Sequence, residues 1–208
     1  MLPKQLTQYL FCGKIYCGRD VLAMTVFEKA TLFAVNAHAG QTRKSKGTPY
    51  ILHPLEAATI VGRITKDEEV MAAAVLHDTL EDTSVTKAEL EKEFGKRIAD
   101  LVEAESEDKM RDIAADESWI LRKKDTIEHL RNAGADVKLV CFGDKLANLR
   151  EMRADYDAIG DELWERFNQE DKALHRWYYE SILDTVSDTL GDIPEVKEYG
   201  DILSHIFC

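Results

Sequence analysis

Apolar residues along this chain recur at three- and four-residue intervals, and alternation with a period of two is absent. Val26, Ala30, Phe33 and Ala37 trace one helical face through "VFEKATLFAVNAHA". Thr25 and Glu28 stand ahead of that face as a capping box. "GQTRKSKGTPY" follows as a Gly- and Lys-rich loop. His53 and Pro54 fit the first turn of a second helix. Asp67 caps a third, which runs through Val70, Met71, Ala74 and Val75. Thr86 and Glu89 form another capping box, and Gly95 suits the stop of that helix. "AESEDKMRDIAADES" is acidic and weakly patterned, a surface loop with some helix. Ser118 is expected to cap "WILRKKDTIEHLRNA", with Gly134 ending it. "VKLVCFGDKLANL" is apolar on nearly every face, so that helix should be buried. A helical pair from roughly Asp161 to Leu190 and a short amphipathic tail after Pro194 complete the chain. The pattern predicts an all-α domain.

Composition narrows the class. The chain has 208 residues, 45% apolar and 32% charged, an ordinary soluble balance with enough apolar residues for a sizeable core. Its formal net charge of −12 argues against gripping a nucleic-acid polymer, which needs clustered Lys and Arg. It leaves room for a small anionic ligand in a locally basic pocket. No apolar run approaches the ~20 residues of a membrane span. The cysteines at 12, 17, 141 and 208 lack zinc-ribbon spacing and read as free thiols of a reducing cytoplasm. Residues 1–23 read as an N-terminal extension, with the domain over 24–208.

Several polar residues break the apolar pattern. Asp144 and Asn148 are four residues apart on the buried helix and share a face. A carboxylate there needs an ion pair or a cation. "AAAVLHDTLEDT", residues 72–83, starts as an apolar helix and then delivers His77, Asp78, Glu81 and Asp82. His77 and Asp78 can lean toward one point beside the helix axis. With His53 and Asp144 they make a mixed N/O set suited to Mn²⁺, Fe²⁺, Zn²⁺ or Co²⁺. Glu81 and Asp82, one turn further on, are placed as acid/base groups beside such an ion. Arg43, Lys44 and Lys46 form a basic cluster a few residues before His53, which suits an anionic substrate.

Taken together, "AHAGQTRKSKGTPYILHPLEAA", "AAAVLHDTLEDT", "EFGKRIADLVEAESEDK" and "GDKLANLR" resemble the HD-domain phosphohydrolases, and within them the (p)ppGpp hydrolase domain of the RelA/SpoT family. The likeness covers roughly Met24 to Met152 and is nearest to the small stand-alone hydrolases. It implies an HD-type helical bundle. It also implies that His53, His77, Asp78 and Asp144 ligate a metal, usually Mn²⁺, and that Glu81 and Asp82 are the catalytic pair. Arg43, Lys44 and Ser45 match the loop that holds base and phosphates. Asn148 matches a nucleotide contact, Tyr178 a C-terminal tyrosine near the base, and Lys109 a phosphate contact. Where the long enzymes carry "ADRLHNMR" this chain has "GDKLANLR", and its C-terminal third diverges.

The activity implied is hydrolysis of the 3′-pyrophosphate of ppGpp or pppGpp to GDP or GTP, with a small phosphorylated nucleotide as the partner. Two alternatives stay open at this point. One is an HD-type phosphohydrolase acting on another phosphorylated nucleotide, an adenine alarmone or the 2′-phosphate of NADPH. The other is a module that binds a nucleotide without cleaving it.

Overall fold

A computed structural model describes residues 14–17, 20–43, 46–107 and 115–208. The expected substrate contacts Lys44, Ser45 and Lys109 lie outside these residues, as does Cys12. A short antiparallel hairpin comes first, β1 (Lys14–Cys17) and β2 (Asp20–Ala23), with Lys14 opposite Ala23. It falls within the segment read from the sequence as an extension. Among the described residues, every regular element after it is a helix, and one isolated bridge joins Thr42 to Pro49.

The helices are α1 (Val26–Ala37), α2 (Leu52–Ile64), α3 (Glu68–Leu76), α4 (Thr79–Asp82), α5 (Lys87–Phe94), α6 (Lys96–Glu105), α7 (Ala115–Asn132) and α8 (Ala135–Ile159). A 3₁₀ segment, Gly160–Arg166, leads to α9 (Lys172–Leu190) and α10 (Pro194–Ile206). Local chemistry sets many of the ends. Both capping boxes form: the Thr25 side chain accepts from the Glu28 amide and Thr86 from the Glu89 amide. Asp67 accepts from the Glu69 amide at the start of α3. Gly95 ends α5 at φ 86°, a conformation only glycine adopts freely. Gly134 turns out to be the N-cap of α8, two residues past the end of α7.

One expected cap is corrected. Helix α7 already runs from Ala115, so Ser118 lies inside it and is buried. Trp119 anchors that turn against Tyr178 and His175 on α9, and packing overrides the local capping signal.

Two apolar clusters share α2 and α8 as a common wall. One gathers α1, α3, α5 and α6 around Ala72, Val75, Leu90 and Ile98. The other gathers α7, α9, α10 and the 3₁₀ segment around Phe142, Leu149, Ile182 and Tyr199. Helix α8 is buried from Leu139 to Ala147 apart from Lys145, as its all-round apolar sequence predicts. It approaches α2 closely at Gly143, where an added Cβ would stand 2.7 Å from Val61 Cγ2 and 3.0 Å from the Ala57 carbonyl oxygen. That close approach brings Asp144 beside the first turn of α2, which carries His53. Among the described residues no helix is long and apolar enough to cross a membrane.

Candidate active site

His53, His77, Asp78 and Asp144 meet where α2, α3, α4 and α8 converge. His53 sits in the first turn of α2. His77 follows the last residue of α3, and Asp78 opens α4. The chain therefore breaks between the two helical pieces, with Asp78 at φ −87°, ψ −5°. Its carboxylate caps no amide of α4, which leaves it for the cluster.

The distances are those of a ligand set. His53 Nε2 lies 3.0 Å from Asp144 Oδ1 and 3.6 Å from Asp78 Oδ2. His77 Nε2 lies 3.1 Å from Asp78 Oδ2 and 3.5 Å from Asp144 Oδ1. Bonds of ~2.0–2.2 Å to one cation separate neighbouring donor atoms by about 3.0–3.5 Å. His53, His77 and Asp144 each offer an atom within 4.8 Å of the others, and all three are buried.

Chemistry supports the same reading. His77 Nδ1 is 2.8 Å from the Ala74 carbonyl oxygen, so Nδ1 carries a hydrogen and Nε2 faces the cluster, where giving up its proton would free a lone pair for a cation. Nε2 is fully buried and makes no hydrogen bond. Burial opposes a charge on His77, but Asp78 and Asp144 outweigh it and hold its pKa well above the ordinary value. Burial likewise works against the Asp144 carboxylate, and Lys145 and His77 pull its pKa well below the usual range. Two carboxylates around two imidazoles concentrate negative charge that a divalent cation would neutralise.

Asp82 lies one turn along α4. Tyr50 Oη stands 2.7 Å from Asp78 Oδ2 and 2.8 Å from Asp82 Oδ2. Burial, then the two carboxylates, push the Tyr50 pKa far up, so the phenol keeps its proton. Gln41 Nε2 donates to the Asp82 carbonyl (2.8 Å). The Glu81 carboxylate faces the chain just after α6, 3.5 Å from the Glu107 amide nitrogen.

From the cluster a cleft of ≈ 1000 Å³ runs along α8, lined by Arg43, Tyr50, Asp82, Asn148, Glu151, Leu163, Phe167 and Tyr179, among others. Asn148 donates to Asp144 Oδ1 (2.7 Å) and accepts from Arg43 Nη2 (3.1 Å), linking the His–Asp cluster to the cleft. Glu151 holds the Arg43 guanidinium through both Nε (3.0 Å) and Nη2. Asp155 takes Lys46 (3.0 Å) and Arg166 (3.6 Å). Asp144, Asn148, Glu151 and Asp155 thus form one stripe on α8, at intervals of three and four residues.

Tyr178 does not join the cleft. It is buried, under Lys123 and against Trp119, with no partner for its hydroxyl among the described residues. Its neighbour Tyr179 lines the cleft instead. Behind Asp144, Lys145 pairs with its outer oxygen, and burial pushes the Glu105 carboxyl up to about 7, with Lys145 opposing.

Sequence reasoning missed Tyr50, Gln41, Glu151 and Asp155. Tyr50 stands three residues before His53, and Glu151 two helical turns beyond Asp144. Spacing could have flagged both.

The model of the HD domain family matches residues 30–168. The chain belongs to that family. The matched HD domain contains all four clustered residues, both acids of α4, Arg43 and Asn148. The chain is 42% identical over 124 residues to a zebrafish (Danio rerio) guanosine-3′,5′-bis(diphosphate) 3′-pyrophosphohydrolase, MESH1, covering 58% of this chain and 65% of the relative. The Xenopus tropicalis counterpart is 40% identical over 129 residues, covering 60% and 68%. The matched stretch thus spans about two thirds of these relatives. Among solved structures, a metazoan ortholog of SpoT that hydrolyses ppGpp superposes with a TM-score of 0.69 at 25% identity, covering 92% of this chain and 97% of that one. The lmo0812 protein of Listeria monocytogenes superposes with a TM-score of 0.65 at 31% identity, covering 80% and 98%.

Proposed function

We propose that this HD domain is a divalent-metal-dependent phosphohydrolase that removes the 3′-pyrophosphate of ppGpp or pppGpp. The observation that carries the reading is the buried His53–His77–Asp78–Asp144 cluster, with Asp82 beside it and a charged cleft leading away along α8. The similarity to 3′-pyrophosphohydrolases supports the substrate class. Mn²⁺ is the proposed ion, and the N/O donor set fits it alongside other divalent transition metals.

His53, His77, Asp78 and Asp144 would hold the cation, which when bound supplies Lewis acidity and makes a water acidic enough to attack phosphorus. Asp82 and Glu81 orient that water and take its proton. The bond between the 3′ oxygen and phosphorus breaks, the same acids return the proton to the 3′ oxygen, and pyrophosphate leaves. Arg43, Lys44, Ser45 and Lys109 neutralise substrate charge. Asn148 fixes the nucleotide relative to Asp144. The base lies in the cleft toward Leu163, Phe167 and Tyr179, with Tyr179 taking the place expected of Tyr178. The protein acts in the cytoplasm on a small nucleotide.

The experiment is incubation of the purified chain with Mn²⁺ and ppGpp, with products separated by ion-exchange chromatography. GDP and pyrophosphate are expected. Asp78→Ala should lose the metal, whereas Glu81→Ala should retain it and turn over slowly. Unchanged turnover in Glu81→Ala would remove that residue from the mechanism. A second reading rests on Glu151 and Asp155, which already occupy the cleft's cations. A substrate with less charge at that end, such as an adenine alarmone or NADPH, would leave those pairs intact. A nucleotide panel scored for phosphate against pyrophosphate separates the two.

A further inference from the structure

Tyr50 stands at the centre of the site and none of the roles above uses it. Its ring stacks on His38 with centroids 4.9 Å apart and meets His53 edge-on at 6.3 Å. The Arg43 guanidinium lies over the ring at 5.6 Å. The ring is therefore fixed, and its hydroxyl is held between Asp78 and Asp82, 2.7 and 2.8 Å from their Oδ2 atoms.

A phenol has one hydrogen to donate. Given to either carboxylate, it leaves the other one facing a lone pair at hydrogen-bond distance. That arrangement is unfavourable while both carboxylates carry full charge. A cation in the His–Asp cluster removes the conflict, because it takes up the charge of Asp78. The hydroxyl hydrogen is then left to Asp82.

Asp82 ends α4, a single turn. Its backbone is held by Gln41 Nε2 (2.8 Å), whose Oε1 is in turn 2.8 Å from His38 Nδ1. Its carboxylate has Tyr50.

We infer that Tyr50 is a positioning residue, whose hydroxyl fixes the Asp82 carboxylate at a set distance from the bound cation. It thereby links filling of the metal cluster to the orientation of the acid that works on water. This inference rests on the metal-dependent hydrolase reading.

Tyr50→Phe tests it, because the variant keeps the ring, the stack on His38 and the support under Arg43. The wild type and the variant are loaded with Mn²⁺ and assayed on ppGpp, and their Mn²⁺ affinities are measured by the EPR signal of free ion. The expected result is a kcat at least tenfold lower, with KM and the Mn²⁺ Kd each within about threefold of wild type. Tyr50→Leu, which also removes the ring, should in addition raise KM by loosening Arg43. A kcat for Tyr50→Phe within twofold of wild type would overturn the inference. So would a kcat that excess Mn²⁺ restores, since Tyr50 would then serve only the ligand Asp78.

A structural readout stands apart from turnover. In Mn²⁺-loaded crystals the Asp82 carboxylate should turn away from its wild-type position in Tyr50→Phe, and an unmoved Asp82 overturns the inference. A wild type that binds Mn²⁺ but leaves ppGpp intact would sink the hydrolase reading alone, and the crystal comparison would still decide the role of Tyr50.

Discussion

Replacing Gly143 with alanine tests how the fold builds the proposed metal site. The new Cβ would stand 2.7 Å from Val61 Cγ2 and 3.0 Å from the Ala57 carbonyl oxygen. Ordinary carbon contacts begin near ~3.5 Å, so α8 and α2 must separate by roughly 0.5–0.8 Å. The Ala57 oxygen is backbone and cannot swing aside. Overpacking of this kind costs about 1–3 kcal/mol. Replacing a mid-helix glycine by alanine returns about 1 kcal/mol. The net expectation is a loss of about 1 kcal/mol, or ~2–4 °C in Tm for a chain of this size. The effect on the site should be larger than the effect on stability. Asp144 follows Gly143 directly and His53 faces it from α2 across 3.0 Å. A widening of that gap should weaken Mn²⁺ binding at least tenfold. Gly200→Ala is the control. It lies inside α10, where the new Cβ would meet only Leu183 Cδ2 at an ordinary 3.9 Å. It should gain up to ~1 kcal/mol and leave metal binding untouched. Urea unfolding and Mn²⁺ titration measure both effects. A Gly143→Ala protein as stable as wild type with unchanged Mn²⁺ affinity would refute the claim that close approach of α2 and α8 sets the ligand geometry.

Three further outcomes follow from the charged groups. On the proposed function, Glu151 would compete with substrate phosphate for Arg43, and a partly exposed pair of this kind contributes about 0.5–1 kcal/mol. Glu151→Gln should therefore lower KM two- to fivefold with kcat preserved, and a raised KM would mean that Glu151 prepares Arg43 for substrate instead. Burial raises the Glu105 pKa to about 7, above its value in the unfolded chain. Stability tied to its protonated form is present at low pH and lost as pH rises through 7. Glu105→Gln should thus gain roughly 2–3 kcal/mol on wild type between pH 5 and pH 8, read by urea midpoints, and a constant difference would contradict this. Arg150 joins α8 to Glu198 of α10 through two bonds of 2.7 Å. Arg150→Ala should lower Tm by a few degrees, about 1 kcal/mol, without changing Mn²⁺ affinity.

The site was legible where polar residues interrupt an apolar pattern. His77 and Asp78 end an alanine-rich helix, and Asp144 lies in a helix apolar on all sides, so each needs a compensating partner in the core. The helix ends at Thr25, Asp67 and Thr86 were legible because a cap depends on only three or four neighbouring residues. What was not legible depends on contacts distant in sequence. Spacing puts Glu151 on the face of Asp144, but it meets Arg43 across 108 positions, and nothing local to either residue announces the pair. Tyr178 and Tyr179 are both buried and differ by about 100° around α9, and only the packing of α7 decides which lies under it and which lines the cleft. The break between α3 and α4 was hidden for a similar reason. "AAAVLHDTLED" has the composition of one continuous helix. The interruption lets His77 and Asp78 turn into the cluster while Asp82 comes alongside Tyr50. Ser118 shows local capping chemistry losing to the burial of Trp119.

The most direct test of the account is the identity of the products released from ppGpp by the Mn²⁺-loaded chain, with Asp78→Ala measured alongside. The account predicts GDP and pyrophosphate from the wild type, and neither product nor bound Mn²⁺ from the variant. Release of single phosphates, or turnover that survives in Asp78→Ala, would contradict it.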